Sequence, residues 1–173
     1  PILEKGAKFT AAVSEISPFN NYAKAGLKNW GTYLGPTKNF DEMVFNFKPI
    51  GDENGNTLAV LHNSLENKGV SVAYNIKQLP VLTLWKNTDT LNQGYVTGIE
   101  PGTSYAYSTK YQRPLGLVPK IKAGQSKQFD MTYTVLNSSF EVKSALGKVL
   151  EIQGDQVIKL IEQPIVDLTN ISE

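Results

Sequence analysis

The sequence predicts an all-β protein built from antiparallel strands, with one short helix towards the C-terminal end. Apolar residues recur at alternate positions over short segments, and clusters of Gly, Pro, Asn and Asp separate these segments. Alternation of this kind is typical of strands with one buried face, and the turn residues set the strand ends. Because short strands with intervening turns dominate the pattern, antiparallel sheets account for most of the chain.

This alternation predicts the individual strands. Residues 8–17 carry alternating apolar residues and end at Pro18, and residues 128–136 place four apolar residues on one face, namely Phe129, Met131, Tyr133 and Val135. The same reasoning predicts strands at residues 43–47, 57–62, 70–75, 81–85, 95–97 and 156–161. Residues 20–35 have a mixed pattern that indicates a short helical turn before a loop.

Near the C-terminal end the spacing of the apolar residues changes. Between residues 139 and 152, apolar residues stand at mixed three- and four-residue spacing, namely Phe140, Val142, Ala145, Leu146, Val149 and Leu150. Such spacing puts side chains on one face of a helix, so the segment predicts an amphipathic helix.

Residues 51–56 contain Asn54-Gly55, which readily adopts the positive φ angles of a hairpin turn, so this segment predicts a hairpin connection. Asp52, Asn54 and Asn56 also have the spacing that opens a calcium-binding loop. Thr57 and Asn63 stand where such a loop needs its glycine and its last acidic ligand. The hairpin is therefore favoured over a calcium site.

Composition excludes several classes of function. The 173 residues carry a net charge of +1 and no basic stripe, so neither nucleic acid nor a membrane surface is indicated as a partner. The chain has no Cys and one His, which rules out disulfides and an ordinary structural zinc site within it. We expect no metal and no cofactor. His62, at a strand end, is more often a satisfied residue than a ligand.

No segment approaches the roughly 20 apolar residues that span a bilayer. The N-terminal residues 1–5 lack the basic region and apolar stretch of a signal peptide, and we expect a cytoplasmic protein. They also lack a starting Met and have the character of chain interior, so we expect the polypeptide to be part of a longer one.

The segment from Gly98 to Thr103 carries the strongest indication of chemistry. Glu100 follows a predicted strand and precedes Pro101-Gly102, so a rigid backbone would present an accessible carboxylate, as a general base requires. Upstream, an apolar strand ends on Trp85. A carboxylate beside an aromatic face suits a sugar, whose ring stacks on the aromatic while its hydroxyls bond to the charged oxygens. The alternative is that Glu100 caps a turn and Trp85 belongs to the core.

A resemblance to a known superfamily rests on five motifs: Gly35-Pro36-Thr37, Phe40-Asp41-Glu42-Met43-Val44-Phe45, Leu79-Pro80 with Trp85-Lys86-Asn87, Tyr95-Val96-Thr97-Gly98-Ile99-Glu100-Pro101-Gly102-Thr103, and Arg113-Pro114-Leu115-Gly116. Over roughly residues 1–136 the chain resembles the galactose mutarotase-like superfamily, and within it an uncharacterised aldose 1-epimerase-like branch. The resemblance implies an antiparallel β-supersandwich, of which residues 1–173 form the C-terminal part of a single domain.

The resemblance implies a mutarotase that interconverts the α and β anomers of an aldose without metal or cofactor. Glu100 matches the general base, and Glu42, Trp85 and Arg113 are the candidate substrate-binding residues. The family's catalytic acid is a His of the N-terminal half, and His62 does not match it. The implied partners are a small-molecule sugar and that missing N-terminal half.

The residues leave alternatives open. Glu42 can equally be a solvated charge at a strand edge, and Arg113 a surface charge in a long loop. Lys86 follows Trp85 directly, so in a regular strand only one of the two can line a pocket. A non-catalytic carbohydrate-binding β-sandwich, which keeps Trp85 and Glu100 for recognition only, is the second hypothesis, and a structural β domain with no ligand is the third.

Overall fold

Two sheets with opposed inner faces form the core of the protein, which a computed structural model describes for residues 2–166. Within these residues the elements are β1 (Lys8–Ala11), β2 (Val13–Pro18), α1 (Asn21–Lys24), a 3₁₀ turn (Leu27–Asn29), β3 (Met43–Pro49), β4 (Asn56–His62), β5 (Gly69–Asn75), β6 (Val81–Thr88), β7 (Tyr95–Gly102), α2 (Thr109–Gln112), β8 (Met131–Leu136), α3 (Ser139–Gln153) and β9 (Lys159–Leu160). The predicted all-β sandwich is confirmed, as is the helix near residues 139–152.

The first sheet has the strand order β1-β4-β5-β8, and the second has the order β7-β6-β3-β2-β9. Neighbouring strands are antiparallel in both sheets, apart from the short parallel contact between β2 and β9. The edges of the five-stranded sheet are therefore β7 and β9, and those of the four-stranded sheet are β1 and β8.

Two predicted connections differ from the structure. Residues 8–17 are two strands rather than one, because the chain leaves the first sheet at Ala12 and enters the second, where the register shifts between Val13 and Glu15. The turn at residues 51–56 joins β3 to β4, which lie in different sheets, so it is no hairpin. Gly55 does have a positive φ of 88°. The Asp52 carboxylate accepts hydrogen bonds from the amides of Asn54 and Asn56, which lower its pKa.

The core lies between the two sheets. Phe9 of β1 and Phe47 of β3 approach each other with ring centroids 5.9 Å apart, and the Trp30 ring stands 5.3 Å from Phe47 at an angle of 70°. Leu82 and Leu84 of β6 are fully buried beside them. These residues alternate with polar ones along each strand, so the second sheet keeps one apolar face and one polar face.

Helix α3 packs on the outer face of the four-stranded sheet. Val142, Ala145 and Val149 are buried against a cluster that includes Val60 of β4 and Ala12. A capping pattern starts the helix: the Ser138 hydroxyl accepts from the Glu141 amide at 3.2 Å, and the Glu141 carboxylate accepts from the Asn137 amide at 2.6 Å. The helix packs mainly on β4 and β1, and Leu136 at the end of β8 is buried in the same cluster.

Lys86 lies on the core side of β6, opposite in direction to Trp85, as the period of two requires. Its amine donates to the carbonyls of Thr32 at 2.7 Å and Trp30 at 3.2 Å, and it stands 4.5 Å from the Tyr33 ring centroid. No carboxylate forms an ion pair with it among residues 2–166. Burial without a counter-charge lowers the pKa of Lys86 to about 8.

Lys86 should make the protein more stable as pH rises. Above about pH 8 the folded state releases this proton, while the unfolded chain keeps it up to its ordinary value of 10.5. The unfolded state then binds more protons, so the free energy of unfolding increases with pH, by on the order of 3 kcal/mol over the full interval. Urea unfolding at pH values from about 7 to about 9.5 measures this increase below the ordinary tyrosine pKa of about 10.

The matched control for this measurement is Lys86→Met, which keeps an unbranched side chain of similar length and removes the ionisable group. Its free energy of unfolding should lack the increase between pH 8 and pH 9.5 that the unmodified protein shows. Equal slopes in the two proteins would contradict the assignment of the effect to Lys86.

Candidate functional site

The polar face of the five-stranded sheet carries a row of side chains that runs across four strands. Residues opposite each other in antiparallel strands share a face. Ser17 of β2 pairs with Asn46 of β3, Asn46 with Thr83 of β6, and Thr83 with Glu100 of β7. These four residues are the polar row. Glu100 stands at the edge-strand end of the row.

Trp85 lies on the same face as Glu100. It pairs with Gly98 across β6 and β7, and Gly98 is two residues from Glu100 along the strand. The indole is half-buried, so one part of it packs on the protein and the other remains accessible. The structure therefore brings together the carboxylate and the aromatic ring that the sequence analysis predicted as site residues.

Glu42 joins this pair through a hydrogen bond. Glu42 is the residue before β3, and its Oε2 accepts a hydrogen bond from the Trp85 indole Nε1 at 2.8 Å. The bond connects residues 43 positions apart in the chain. A charged acceptor on the indole nitrogen restricts rotation of the ring, so Glu42 orients Trp85 as well as adding negative charge to the site.

Glu100 lies inside a strand rather than after one. Strand β7 continues to Gly102, and Pro101 is accommodated because β7 is an edge strand. Within residues 2–166 the Glu100 carboxylate accepts no hydrogen bond, so the turn-capping alternative does not describe it. The side chain is largely exposed, and its partial burial raises the pKa. A raised pKa makes a carboxylate a better proton acceptor.

Arg113 follows α2 and is exposed. Its guanidinium makes no hydrogen bond or ion pair with the other residues that the structure describes, so no contact ties it to Glu100 or Trp85. The preceding residue, Gln112, does make side-chain hydrogen bonds. Gln112 is buried, and its Nε2 donates to the carbonyls of Tyr105 and Tyr107, which ties α2 to the loop after β7.

Asn46, Thr83 and Tyr107 belong to the candidate site, and the sequence analysis did not predict them. Thr83 Oγ1 donates to Asn46 Oδ1 at 3.3 Å, Asn46 Nδ2 donates to the Tyr107 hydroxyl at 3.2 Å, and that hydroxyl donates to the Phe19 carbonyl at 2.7 Å. The Tyr107 ring also stacks on Phe19 with centroids 4.4 Å apart. The one signal in the sequence was Asn46 between two phenylalanines, a polar residue within an apolar alternation.

His62 lies away from this site, at the end of β4 in the other sheet. It is buried, and its Nδ1 hydrogen-bonds with the Asn63 carbonyl at 2.8 Å. In the described part of the chain, no group of three or more His, Cys, Asp or Glu side chains has the arrangement of a metal site. Among the same residues, no helix combines the length and the apolar character that crossing a bilayer requires.

A cavity of about 650 Å³ lies elsewhere, beside α3 on the four-stranded sheet, with Asp52, Glu53, Lys148 and Glu151 in its lining. It is large enough for a small molecule, but it contains none of the predicted site residues. Its lining charges are of both signs, and no convergent set of buried polar groups marks it as a site. The polar face around Glu100 is therefore the stronger candidate.

Comparison with known proteins assigns the family. A family profile described as a domain of unknown function (DUF4432) matches residues 1–135. The chain belongs to this family. No curated protein matches it significantly.

A crystal structure described as a "putative aldose 1-epimerase", from Klebsiella pneumoniae subsp. pneumoniae MGH 78578, is 56% identical and superposes with a TM-score of 0.94. The match covers 96% of this chain and 44% of that one, so the chain spans less than half the length of this relative. The fold is thus epimerase-like, and the similarity supports a carbohydrate-related function.

Replacing Glu42 should change the environment of one indole and leave the other unchanged. In Glu42→Ala the Trp85 Nε1–H loses its acceptor, so its proton resonance should move upfield towards that of a solvated indole. Trp30 packs on Phe9 and Phe47 and should keep its resonance. A ¹H–¹⁵N correlation spectrum measures both. Glu42→Gln keeps an acceptor and should retain most of the shift; two unmoved indole resonances in Glu42→Ala would disprove the bond.

Proposed function

We propose that the protein interconverts the α and β anomers of an aldose by general acid/base catalysis, with Glu100 as the base. The observation that carries the proposal is the shared face of Glu100 and Trp85 in a chain 56% identical to the Klebsiella protein. The raised pKa of the Glu100 carboxyl supports it, because a carboxylate with a higher pKa accepts a proton more readily.

In the proposed reaction the Glu100 carboxylate takes the proton of the anomeric hydroxyl while an acid protonates the ring oxygen. The bond between the anomeric carbon and the ring oxygen breaks, and the open aldehyde rotates about its bond to C2. Closure from the other face returns both protons and gives the other anomer. The reaction is balanced, since the two transferred protons return when the ring closes, and each proton transfer needs a group within hydrogen-bond reach.

The other site residues would bind the sugar. The Trp85 ring offers an apolar face on which the CH groups of a pyranose stack, and Glu42 orients that ring and can accept from a hydroxyl. Arg113 would reach a sugar hydroxyl or a phosphate, a role for which its exposed guanidinium is suited.

The catalytic acid is the part of the reaction that residues 2–166 do not supply on this face. The one His of the chain, His62, is buried in the other sheet. The resemblance places the acid in an N-terminal half, which we propose as the partner of this chain, with residues 1–173 as the C-terminal part of one domain. The missing acid also favours the second candidate function, a carbohydrate-binding sandwich without catalysis.

The surface of β8 supports the proposal of a partner. Met131, Tyr133 and Val135 pair with Tyr74, Val72 and Val70, so they face the core side of their sheet. Val72 and Tyr74 are buried there, whereas the β8 side chains are 44%, 60% and 66% exposed. The five-stranded sheet therefore does not extend over β8. We propose that polypeptide equivalent to the rest of the Klebsiella protein covers this apolar face.

Glu100→Gln tests the function. The change keeps the shape and removes the proton acceptor, so the rate of anomer interconversion should fall by about 10²-fold or more, with little change in sugar affinity. The assay uses NMR or polarimetry on candidate aldoses and the completed chain, meaning this chain joined to the part of the Klebsiella protein outside the match. An unchanged rate would remove Glu100 from catalysis. Sugar binding by the unmodified completed chain without interconversion would support the binding module.

Replacing apolar residues of β8 tests the partner. Tyr133→Thr with Val135→Thr keeps strand propensity and should leave the stability of the isolated chain nearly unchanged, since both side chains are exposed. The affinity of the chain for the separately produced remainder of the Klebsiella protein should fall by about tenfold or more, as measured by calorimetry. Leu150→Gln on α3, an exposed apolar residue on another surface, is the control and should bind normally. Equal affinities for all three proteins would contradict the proposed face.

A further inference from the structure

Gly98 occupies a position in β7 where a side chain would collide with the carboxyl group of Glu100. A Cβ atom at residue 98 would lie 3.2 Å from Glu100 Cδ and 3.4 Å from Cγ, and it would overlap Oε1. The Glu100 side chain therefore folds back along its own strand and lies over the Gly98 backbone. The carboxylate fills the space that any other residue at position 98 would take.

The backbone gives no other reason for this glycine. Gly98 is not among the glycines with positive φ, so an L-residue could adopt its conformation. A glycine inside a strand weakens the strand and often marks a close approach by another group. Here the approaching group is the end of the Glu100 side chain rather than a backbone or the core.

The position of the carboxylate decides what it can reach. Gly98 is the cross-strand partner of Trp85, so the space above it lies next to the base of the indole side chain, with Cβ positions about 5 Å apart in such pairs. With the side chain folded back, the carboxylate points along the face towards Trp85. An extended Glu100 side chain would instead place its oxygens in open solvent.

We infer that Gly98 is a positioning residue for Glu100: by leaving its side-chain space empty it lets the carboxylate lie against β7, where it faces a ligand stacked on Trp85. The inference rests on the proposed role of Glu100 as base. Partial burial against the strand also accounts for the raised pKa of the Glu100 carboxyl.

Gly98→Ala is the direct test, because only the flexible end of Glu100 must move to admit the methyl group. The thermal midpoint should stay the same or rise slightly, since alanine suits a strand better than glycine. The displaced carboxylate enters water, so its pKa should fall towards the ordinary value. A ¹³C NMR titration of the Glu100 carboxyl in the 173-residue chain measures this shift. Gly147→Ala in α3, where a Cβ meets open space, is the matched control and should leave the titration unchanged.

The rate of anomer interconversion in the completed chain separates positioning from a structural role. Gly98→Ala should lower it by about tenfold or more, since displacement of a catalytic group by about 1 Å has effects of this size. Added to Glu100→Gln, it should have no further effect, because it acts through that carboxylate. An unshifted titration, or a shifted titration with the wild-type rate, would overturn the inference. A wild-type rate in Glu100→Gln would contradict the proposed function itself, and the inference with it.

Discussion

The register between β6 and β7 places Thr83 opposite Glu100 and Trp85 opposite Gly98. The rest of the site depends on this pairing. The side-chain period of a strand is two, so a slip of β7 by one residue against β6 would leave Trp85 in place and move Glu100 to the core face of the sheet. Ile99 of β7 opposes such a slip, because it packs against the core between the sheets and this contact would be lost. The apolar core thus fixes the polar face indirectly, through the alternation of the same strands.

Strand β6 is held from both of its faces. On the core side, the Lys86 amine binds the backbone carbonyls of Trp30 and Thr32, which ties the loop after α1 to the strand. On the polar side, Glu42 binds the Trp85 indole. Two consecutive residues therefore carry restraints that point in opposite directions. A ligand that stacks on Trp85 would meet a ring whose orientation is already set, which reduces the entropy lost on binding.

Local patterns predicted the strands well because each strand segment contains its own alternation of apolar and polar residues. The opposite orientation of Trp85 and Lys86 followed from the same period. The division at Ala12 and the passage from β3 to β4 between sheets could not be predicted, because they depend on which distant strands pair. The polar row could not be predicted for the same reason. Its members become neighbours only through the register of four strands, namely Ser17, Asn46, Thr83 and Glu100. The bond between Glu42 and Trp85 spans 43 residues and leaves no local signal.

The two faces of the chain that remain open differ in character. The apolar side of β8 is exposed although its strand partners are buried, as expected of a surface that another polypeptide covers. The polar face of the other sheet is partly closed by the loop after β7, where the hydroxyls of Tyr105 and Tyr107 donate to the carbonyls of Phe47 and Phe19. The proposed partner surface and the proposed ligand surface therefore lie on different sheets, so that variants can test each of them separately.

The central claim is that a sugar binds on the polar face between Trp85 and Glu100. Titration of the ¹⁵N-labelled chain with candidate aldoses, followed by ¹H–¹⁵N correlation spectra, tests it most directly, because it maps binding independently of catalysis. We expect the largest shifts at the Trp85 indole and at the amides of Gly98, Glu100 and Thr83, which share this face. Shifts confined to the cavity beside α3, around Lys148 and Glu151, would contradict the account.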